Sequence, residues 1–335
     1  MGIPWIQKAR VGAYVVRKRL AGETRYPLVL MLEPLFQCNL RCKGCGKIAH
    51  PPEVLNKRLS VDECLSAAEE CGAPVVSIPG GEPLLHPDIP VIVRELIARK
   101  RFVYLCTNAQ LMQKRMHEFR PSPYLSFSVH MDGLGARHDE LVCKQGAFEI
   151  ATAAMRQLLA RGFRVTTNTT LYNDHSPDEA ARLFDFLTRL GVEGMTVSPG
   201  FGYQAAADQE NFLGREATQK LFRSIFALGR KRGWVFNHSA LFLHFLAGNL
   251  RYECSPWGNP TRNVLGWQRP CYLLDDGVAS SFKELMATTD WDRYGVGKDP
   301  RCEHCMVHCG FEPTAVVDSV RRPLKPLFLK GLDKA

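Results

Sequence analysis

The chain has 335 residues, of which 45% are hydrophobic and 23% are charged, the balance of an ordinary globular protein. It has no run of 18 apolar residues, and its N-terminus mixes charged with apolar residues, so neither a spanning helix nor a secretory signal is expected. The net charge of +9 favours an anionic partner, but no basic run interleaved with aromatic residues predicts nucleic-acid binding. We expect a cytoplasmic protein whose twelve cysteines are reduced.

Residues 1–24 are predicted to form a basic amphipathic helix. Its apolar residues fall within about 100° of arc at helical spacing, and most of its lysines and arginines lie outside that arc. The apolar positions are Trp5, Ile6, Ala9, Ala13, Val16 and Leu20. Residues 321–332 are basic and apolar in the same way. Such ends can lie on the inner face of a membrane, or the helix can pack on the protein with its basic face solvated.

Residues 25–203 alternate short β-branched segments with longer amphipathic ones, which predicts an α/β fold with a parallel sheet. Strands are predicted at 28–33, 75–81, 102–108, 125–131, 164–171 and 194–200. Helices are predicted at 61–71, 89–100, 147–162 and 177–191. We expect a partial (β/α)6 barrel of the TIM type, with its chemistry at the carboxyl ends of the strands.

Residues 204–335 are predicted to form a smaller, helical and cysteine-rich C-terminal domain. Helices are expected at 215–233 and 238–250, followed by a segment rich in Gly, Pro and Trp at 255–270. The aromatic stretch 234–248 can wall an oily cavity or form an ordinary buried helix, and the second is the commoner outcome.

Three closely spaced cysteines follow the first strand in the sequence CNLRCKGC, at Cys38, Cys42 and Cys45. Thiolates are soft ligands suited to iron–sulfur clusters, and three of them leave one iron of a 4Fe–4S cube open to another ligand. Arg41 and Lys43 can offset part of the cluster's negative charge. The alternative is a zinc knuckle completed by a distant ligand.

Polar segments close the next strands at the same edge of the expected barrel. Glycines in GGEP, residues 80–83, allow backbone to approach a ligand, and Glu82 can accept hydrogen bonds from an ammonium group. In SVHMDG, residues 128–133, His130 and Asp132 can line a pocket or be rim residues satisfied by neighbouring backbone. Thr170 and residues 198–202 are further candidate contacts.

The cysteine spacing resembles the motif of the radical S-adenosylmethionine (SAM) superfamily, and GGEP resembles that family's motif for the amino group of SAM. The resemblance implies a 4Fe–4S cluster held by Cys38, Cys42 and Cys45. The residues that it implies for cofactor binding are Gly80, Gly81, Glu82, Asn108, Ser128 and Asn168. It also implies that SAM is consumed as a co-substrate and is cleaved to methionine and a 5′-deoxyadenosyl radical. An external one-electron reductant such as flavodoxin or ferredoxin would supply the electron.

Residues 25–48, 80–89 and 302–313 are similar to the adenosylhopane synthases of hopanoid biosynthesis. This resemblance implies C–C bond formation between the radical and the terminal alkene of diploptene, a triterpene. The radical left on the lipid then needs one hydrogen atom. Cys106, at the end of the third strand, is the candidate donor, and a small buried core cysteine is the alternative. A different radical SAM enzyme, with an auxiliary-cluster tail and a peptide or small polar substrate, is the second reading, and a zinc-binding scaffold is the third.

A second cysteine set occurs late in the chain. Cys302, Cys305 and Cys309 have metal-ligand spacing, and Cys271 is the expected fourth ligand. A second iron–sulfur cluster, a structural zinc and reduced cysteines without metal stay open. The competing ligands are Cys254, His304 and His308. We interpret Cys64, Cys71 and Cys143 as structural.

Overall fold

The computed structural model describes residues 2–202, 206 and 209–329. Nine strands of these residues form one sheet. The strands are β1 (Val29–Glu33), β2 (Val75–Ile78), β3 (Phe102–Thr107), β4 (Leu125–His130), β5 (Arg164–Leu171), β6 (Gly194–Pro199), β7 (Thr261–Asn263), β8 (Gly266–Gln268) and β9 (Val278–Ala279). Their order is β6-β5-β4-β3-β2-β1-β7-β8-β9.

Helices connect the strands and cover the sheet. They are α1 (Trp5–Leu20), α2 (Pro52–Leu55), α3 (Val61–Cys71), α4 (Ile89–Ala98), α5 (Met112–Arg115), α6 (Ala136–Leu141), α7 (Ala147–Ala160), α8 (Pro177–Leu190), α9 (Arg215–Gly229), α10 (Ala240–Leu246), α11 (Phe282–Thr288) and α12 (His308–Arg321). Reciprocal capping boxes begin α3, through Ser60 and Glu63, and α8, through Ser176 and Glu179. Both helices end at a glycine with positive φ, Gly72 and Gly191.

The expected α/β fold is confirmed, since β1 to β6 are all parallel and follow one another across the sheet with helices between them. Each of the six strands lies within its predicted range. The predicted helix starts agree to within about two residues, and α4, α7, α9 and α10 end two to four residues early. The predicted boundary between residues 203 and 204 falls at positions outside the described residues, as does the end of the predicted basic tail after residue 329.

The C-terminal region extends the sheet, which the sequence did not indicate. Within the segment 255–270, β7 pairs in parallel with β1, and β8 pairs antiparallel with β7. Farther along the chain, β9 pairs antiparallel with β8. These strands have only two or three residues, too few to show an alternating pattern. Their hairpin is held by Asn263, whose Oδ1 accepts from the backbone N–H groups of Leu265 (2.9 Å) and Gly266 (3.3 Å).

The inner and outer faces of the parallel strands differ in polarity. In β3, buried Val103 and Leu105 join the hydrophobic core, and they alternate with the half-buried Tyr104 and Cys106. Side chains on the inner face hydrogen-bond across strands, for example Ser126 with Thr166 at 3.3 Å between hydroxyl oxygens. The inner face is therefore mostly polar. Its other side chains at these positions are Ser77, Ser128, His130, Asn168, Thr196 and Ser198.

The last helix crosses the open side of the barrel. At its start, the ring Nδ1 of His308 lies 3.1 Å from the hydroxyl oxygen of Ser198 at the end of β6. Further along, Val316, Val317 and Val320 pack against the cluster of Tyr26 and Leu28, just before and at the start of β1. The aromatic stretch 234–248 is an ordinary buried segment. Every residue of α10 except Ala240 is buried, and Phe184 packs edge-on against Trp234 and Phe236.

Candidate active site

The cysteine loop lies at the carboxyl end of β1. Cys38 and Cys42 are half-buried and pack against Leu40, Val142 and Ala147, whereas the Cys45 residue is exposed. The loop is also held from outside. Its Lys43 backbone N–H donates to the carbonyl of Leu141 in α6 at 2.8 Å, and its Lys43 carbonyl accepts from the hydroxyl of Tyr172 at 3.1 Å. The three thiols are therefore presented by a loop with fixed contacts to two later segments.

The GGE segment pairs with the backbone just before Cys38. The N–H of Gly81 donates to the carbonyl of Leu35 (3.0 Å), and the N–H of Glu82 donates to the carbonyl of Gln37 (2.8 Å). A Cβ at Gly81 would overlap the carbonyl oxygens of Phe36 and Gln37. In the described residues these glycines bring two backbone segments together. The sequence had suggested that the glycines allow the backbone to approach a ligand, whereas in the structure Gly81 allows it to approach another backbone segment.

Glu82 is fully buried where the ends of β2 and β3 meet. Its carboxylate accepts from the Thr107 hydroxyl (2.8 Å), the Asn108 N–H (2.8 Å) and the Leu84 N–H (3.0 Å). Burial raises the pKa of Glu82 to about 7, and these three hydrogen bonds oppose the rise. Glu82 thus fixes the turn after β3, and its interaction with an ammonium group stays a prediction.

Cys106 lies on the inner face of β3, and Asn108 comes directly after the end of that strand. The Asn108 side-chain amide donates to Asn39 Oδ1 at 2.8 Å and lies 3.8 Å from the sulfur of Cys38. The Cys106 sulfur lies one layer deeper, 3.5 Å from the hydroxyl oxygen of Ser77. Cys106 also pairs in register with Ser128 on β4. The structure therefore brings Asn108, Cys106 and the cysteine loop to one rim.

The ends of β4 and β5 contribute a His–Asp pair. His130 Nε2 lies 2.9 Å from the buried Asp132 carboxylate, whose other oxygen accepts from the Thr170 N–H at 2.7 Å. Asp132 is thus held partly by backbone, as one reading of the sequence expected. Asn168 pairs in register with His130, and its buried Oδ1 has no hydrogen-bond partner among the described residues. An unpaired buried acceptor at this rim fits contact with a bound ligand.

The site also contains a buried ion pair that the sequence did not predict. Glu33, the last residue of β1, is fully buried, and its two carboxylate oxygens lie 2.8 and 3.0 Å from Lys47 Nζ. Lys47 also lies over the ring of Tyr272, 5.1 Å from its centroid. A lone Glu at a strand end and a Lys fourteen residues later carry no pattern that would reveal this contact. The pair ties the cysteine loop to β1 and to the C-terminal region.

The late cysteines converge on one cavity of about 30 Å³. The cysteines that line it are Cys254, Cys271, Cys302, Cys305 and Cys309. The sequence offered Cys254 only as a competing ligand, but the structure places it in the cavity beside the residue that follows Cys309. Its sulfur lies 2.6 Å from the position that a Cβ of Gly310 would take. The two histidines lie elsewhere, because His304 is exposed and His308 bonds to Ser198. Cys64 and Cys71 are buried in α3, in agreement with a structural role.

Two family models match the chain in succession. Residues 32–187 match the model described as "Radical SAM superfamily", and residues 195–329 match "Domain of unknown function (DUF3463)". The first match contains all three loop cysteines and the GGE segment. Residues 32–187 belong to the radical SAM superfamily. This superfamily implies a 4Fe–4S cluster and SAM as a consumed co-substrate, and the match includes the three loop cysteines.

The thiol arrangement fits that cluster. Among the described residues, no three His, Cys, Asp or Glu side chains lie close enough to hold a single metal ion. A 4Fe–4S cube takes one thiolate at each ligated corner, so the three cysteines of one loop match a cube with one open iron. The unpaired Asn168 acceptor lies at the same rim.

Proteins similar to this chain have names that concern GTP, a heme d1 precursor and a peptide. The chain is 27% identical to GTP 3′,8-cyclase 1 of Mycobacterium tuberculosis over 52% of this chain and 50% of that protein. It is 27% identical to pre-heme d1 synthase of Dinoroseobacter shibae over 92% of this chain and 79% of that protein. SuiB of Streptococcus suis, solved with its precursor peptide SuiA, has a TM-score of 0.61 and 17% identity over 76% of this chain and 61% of its own. The chain spans about half the length of the first curated relatives it matches.

The expected diploptene substrate is wrong, and the finer resemblance to adenosylhopane synthases has no support among these radical SAM relatives. Their names concern GTP and a heme d1 precursor, and SuiB binds a peptide. The polar inner face agrees, because a triterpene hydrocarbon would leave buried hydroxyl and amide groups without hydrogen bonds. Adenosyl transfer to a lipid alkene is not retained, and the reductant stays a generic expectation.

Proposed function

We propose that the chain is a radical SAM enzyme with a second iron–sulfur cluster in its C-terminal region, acting on a polar substrate, either a peptide or a small molecule. The polar inner face of β2 to β6 is the observation that carries the substrate class. Its hydroxyl, amide and imidazole groups can pair with polar substrate groups at the rim that presents the cysteine loop.

The chain's own residues bind and orient at this rim. Cys38, Cys42 and Cys45 would hold the cluster, which when bound and reduced supplies the electron that cleaves SAM into methionine and a 5′-deoxyadenosyl radical. Asn108 orients the loop through Asn39. The side-chain acceptor of Asn168 can receive a hydrogen bond from bound SAM or substrate.

The second cluster is supported by five cysteines around one cavity. Two cations offset thiolate charge: Arg301 lines the cavity, and Arg215 donates to the Cys305 carbonyl at 2.8 Å. The cavity adjoins a polar cleft of about 570 Å³ that includes Arg293 and Lys298. A polar cleft beside a second metal favours this reading of the chain over a lipid enzyme.

Metal content and SAM cleavage test the proposal. We expect about eight iron atoms per chain after anaerobic reconstitution, and 5′-deoxyadenosine once SAM and a low-potential reductant are added. The Cys38/Cys42/Cys45→Ala variant should keep about four irons and lose SAM cleavage, whereas Cys302/Cys305/Cys309→Ala should keep about four and still cleave SAM. GTP, coproporphyrin and peptides can then be screened for faster cleavage. Zinc in place of the second set of irons would disprove the second cluster, and no cleavage with an intact first cluster would disprove the enzyme.

Cys106 is proposed as the hydrogen-atom donor to a substrate radical. Burial raises the pKa of its thiol, so the sulfur keeps its proton at neutral pH. Donation would break the S–H bond and form a C–H bond, and the external reductant with a proton from water would restore the thiol. Cys106→Ala should keep 5′-deoxyadenosine formation and lower the yield of the product that has gained the hydrogen atom at least about tenfold.

Solvent deuterium separates this role from packing. A thiol exchanges its proton with D₂O, so wild-type product should carry one solvent deuterium and residual Cys106→Ala product should not. Cys71→Ala is the matched control, because Cys71 is a buried cysteine of α3 outside the barrel. Equal product and equal labelling in Cys106→Ala and wild type would refute the donor role.

A further inference from the structure

The apolar stripe of α1 faces solvent. Trp5 and Leu20 are 81% and 85% exposed, and Val16 and Ile6 are 46% and 38% exposed. Ala9 and Ala13, between them on the same stripe, are exposed too. One reading of the sequence expected the helix to pack on the protein through its apolar side. The structure contradicts that reading, because the apolar side is exposed.

The opposite side of α1 makes the contacts with the barrel. Its buried residues are Gln7, Tyr14 and Val15. Gln7 Oε1 accepts from the Tyr104 hydroxyl at 3.0 Å, deep on the inner face of β3. On the flank of the helix, Arg10 donates to the hydroxyl of Tyr124, the residue before β4, at 2.9 Å. The helix thus lies across the amino ends of the strands, and the cysteine loop lies at the other end.

Basic side chains flank the exposed stripe on both sides. At about 100° per residue, Arg10 and Arg17 follow one edge, and Lys8 and Arg19 follow the other. The helix contains no acidic residue. Arg321, near the end of α12, adds to this positive charge. Arg19 and Arg321 both lie close enough to Tyr26 to oppose the rise in its pKa that burial causes. The result is an apolar strip between two rows of positive charge.

We propose that α1 docks the protein on the surface of an anionic lipid bilayer. An exposed apolar stripe with basic flanks is the pattern of a helix that lies in a membrane interface, and a tryptophan at its end suits the headgroup region. Among the described residues no helix is long and apolar enough to cross a bilayer, so the contact would be peripheral. A second copy of the chain fits less well, because two acid-free helices would bring their positive charges together.

Docking by α1 would turn the radical site away from the bilayer. The helix covers the amino ends of the strands, whereas the cysteine loop and Asn108 lie at the carboxyl ends. A substrate would therefore arrive from the aqueous side, which agrees with a polar substrate. The proposal does not depend on the proposed reaction, since vesicle binding needs neither SAM nor a cluster.

Vesicle flotation of the full chain tests the docking. We expect binding to vesicles of phosphatidylcholine with phosphatidylglycerol and much weaker binding to phosphatidylcholine alone. Trp5→Gln/Leu20→Gln should weaken binding at least about tenfold. Lys8→Gln/Arg19→Gln should weaken it about thirtyfold at low salt. Leu265→Gln, at an exposed leucine of the β7–β8 hairpin, is the matched control and should bind like wild type.

Circular dichroism and SAM cleavage of each variant should match wild type, which excludes misfolding as the cause of weaker binding. Equal binding of wild type and Trp5→Gln/Leu20→Gln would overturn the proposal. So would no binding of wild type to anionic vesicles at low salt. If light scattering instead shows a dimer that the double variant loses, the stripe belongs to a second copy of this chain.

Discussion

Gly81→Ala is expected to abolish SAM cleavage and to lower the free energy of unfolding by about 3 kcal/mol or more. The added Cβ would overlap the carbonyl oxygens of Phe36 and Gln37, which are backbone atoms next to the first cluster ligand. Relief requires the backbone before Cys38 to move. That movement would break the hydrogen bonds that Gly81 and Glu82 donate to Leu35 and Gln37.

Iron content, SAM cleavage and chemical denaturation of Gly81→Ala measure the effect. We expect the first cluster to be lost while the second set of about four irons is retained, because the C-terminal cysteines come from other segments. Gly12→Ala is the control, since a Cβ there meets nothing within 4 Å and helix propensity should raise stability by about 0.5–1 kcal/mol. A Gly81→Ala protein with normal iron and normal cleavage would show that the two backbones are not locked together.

Lys47→Met is expected to have the next largest effect. It leaves the fully buried Glu33 without its partner, and breaking a buried pair in this way costs about 3–5 kcal/mol. It also removes the contact between the cysteine loop and Tyr272. We expect a lower denaturation midpoint and poor retention of the first cluster.

A double-mutant cycle isolates the pair. Glu33→Gln/Lys47→Met removes both charges and should recover a large part of the stability that Lys47→Met loses. Glu140→Gln is the control, because it breaks the exposed Lys43–Glu140 pair of the same loop, which should contribute about 1 kcal/mol or less. If Lys47→Met and Glu140→Gln prove equally mild, the buried pair does not hold the loop.

Much of the barrel was readable from local patterns. Each strand and each amphipathic helix carries its hydrophobic period within its own short segment, so β1 to β6 follow from the sequence alone. The spacing of Cys38, Cys42 and Cys45 is equally local, and so is its link to iron–sulfur chemistry. The substrate was not readable in this way, because it depends on side chains that five different strands bring to one inner face.

Contacts between distant segments could not be predicted from the sequence. Gly81 meets Gln37, Glu33 meets Lys47, and Cys254 joins a cavity with cysteines up to 55 positions later, and none of these pairs shares a periodic pattern. The stripe of α1 shows the division most clearly. Its arc of apolar residues could be read from the helical period, but only the contacts of Gln7, Tyr14 and Val15 decided that the arc faces outward. A helix buries the side whose groups find packing and hydrogen-bond partners in the rest of the fold. Here the Tyr104 hydroxyl donates to Gln7, so the side of α1 that carries Gln7 is buried.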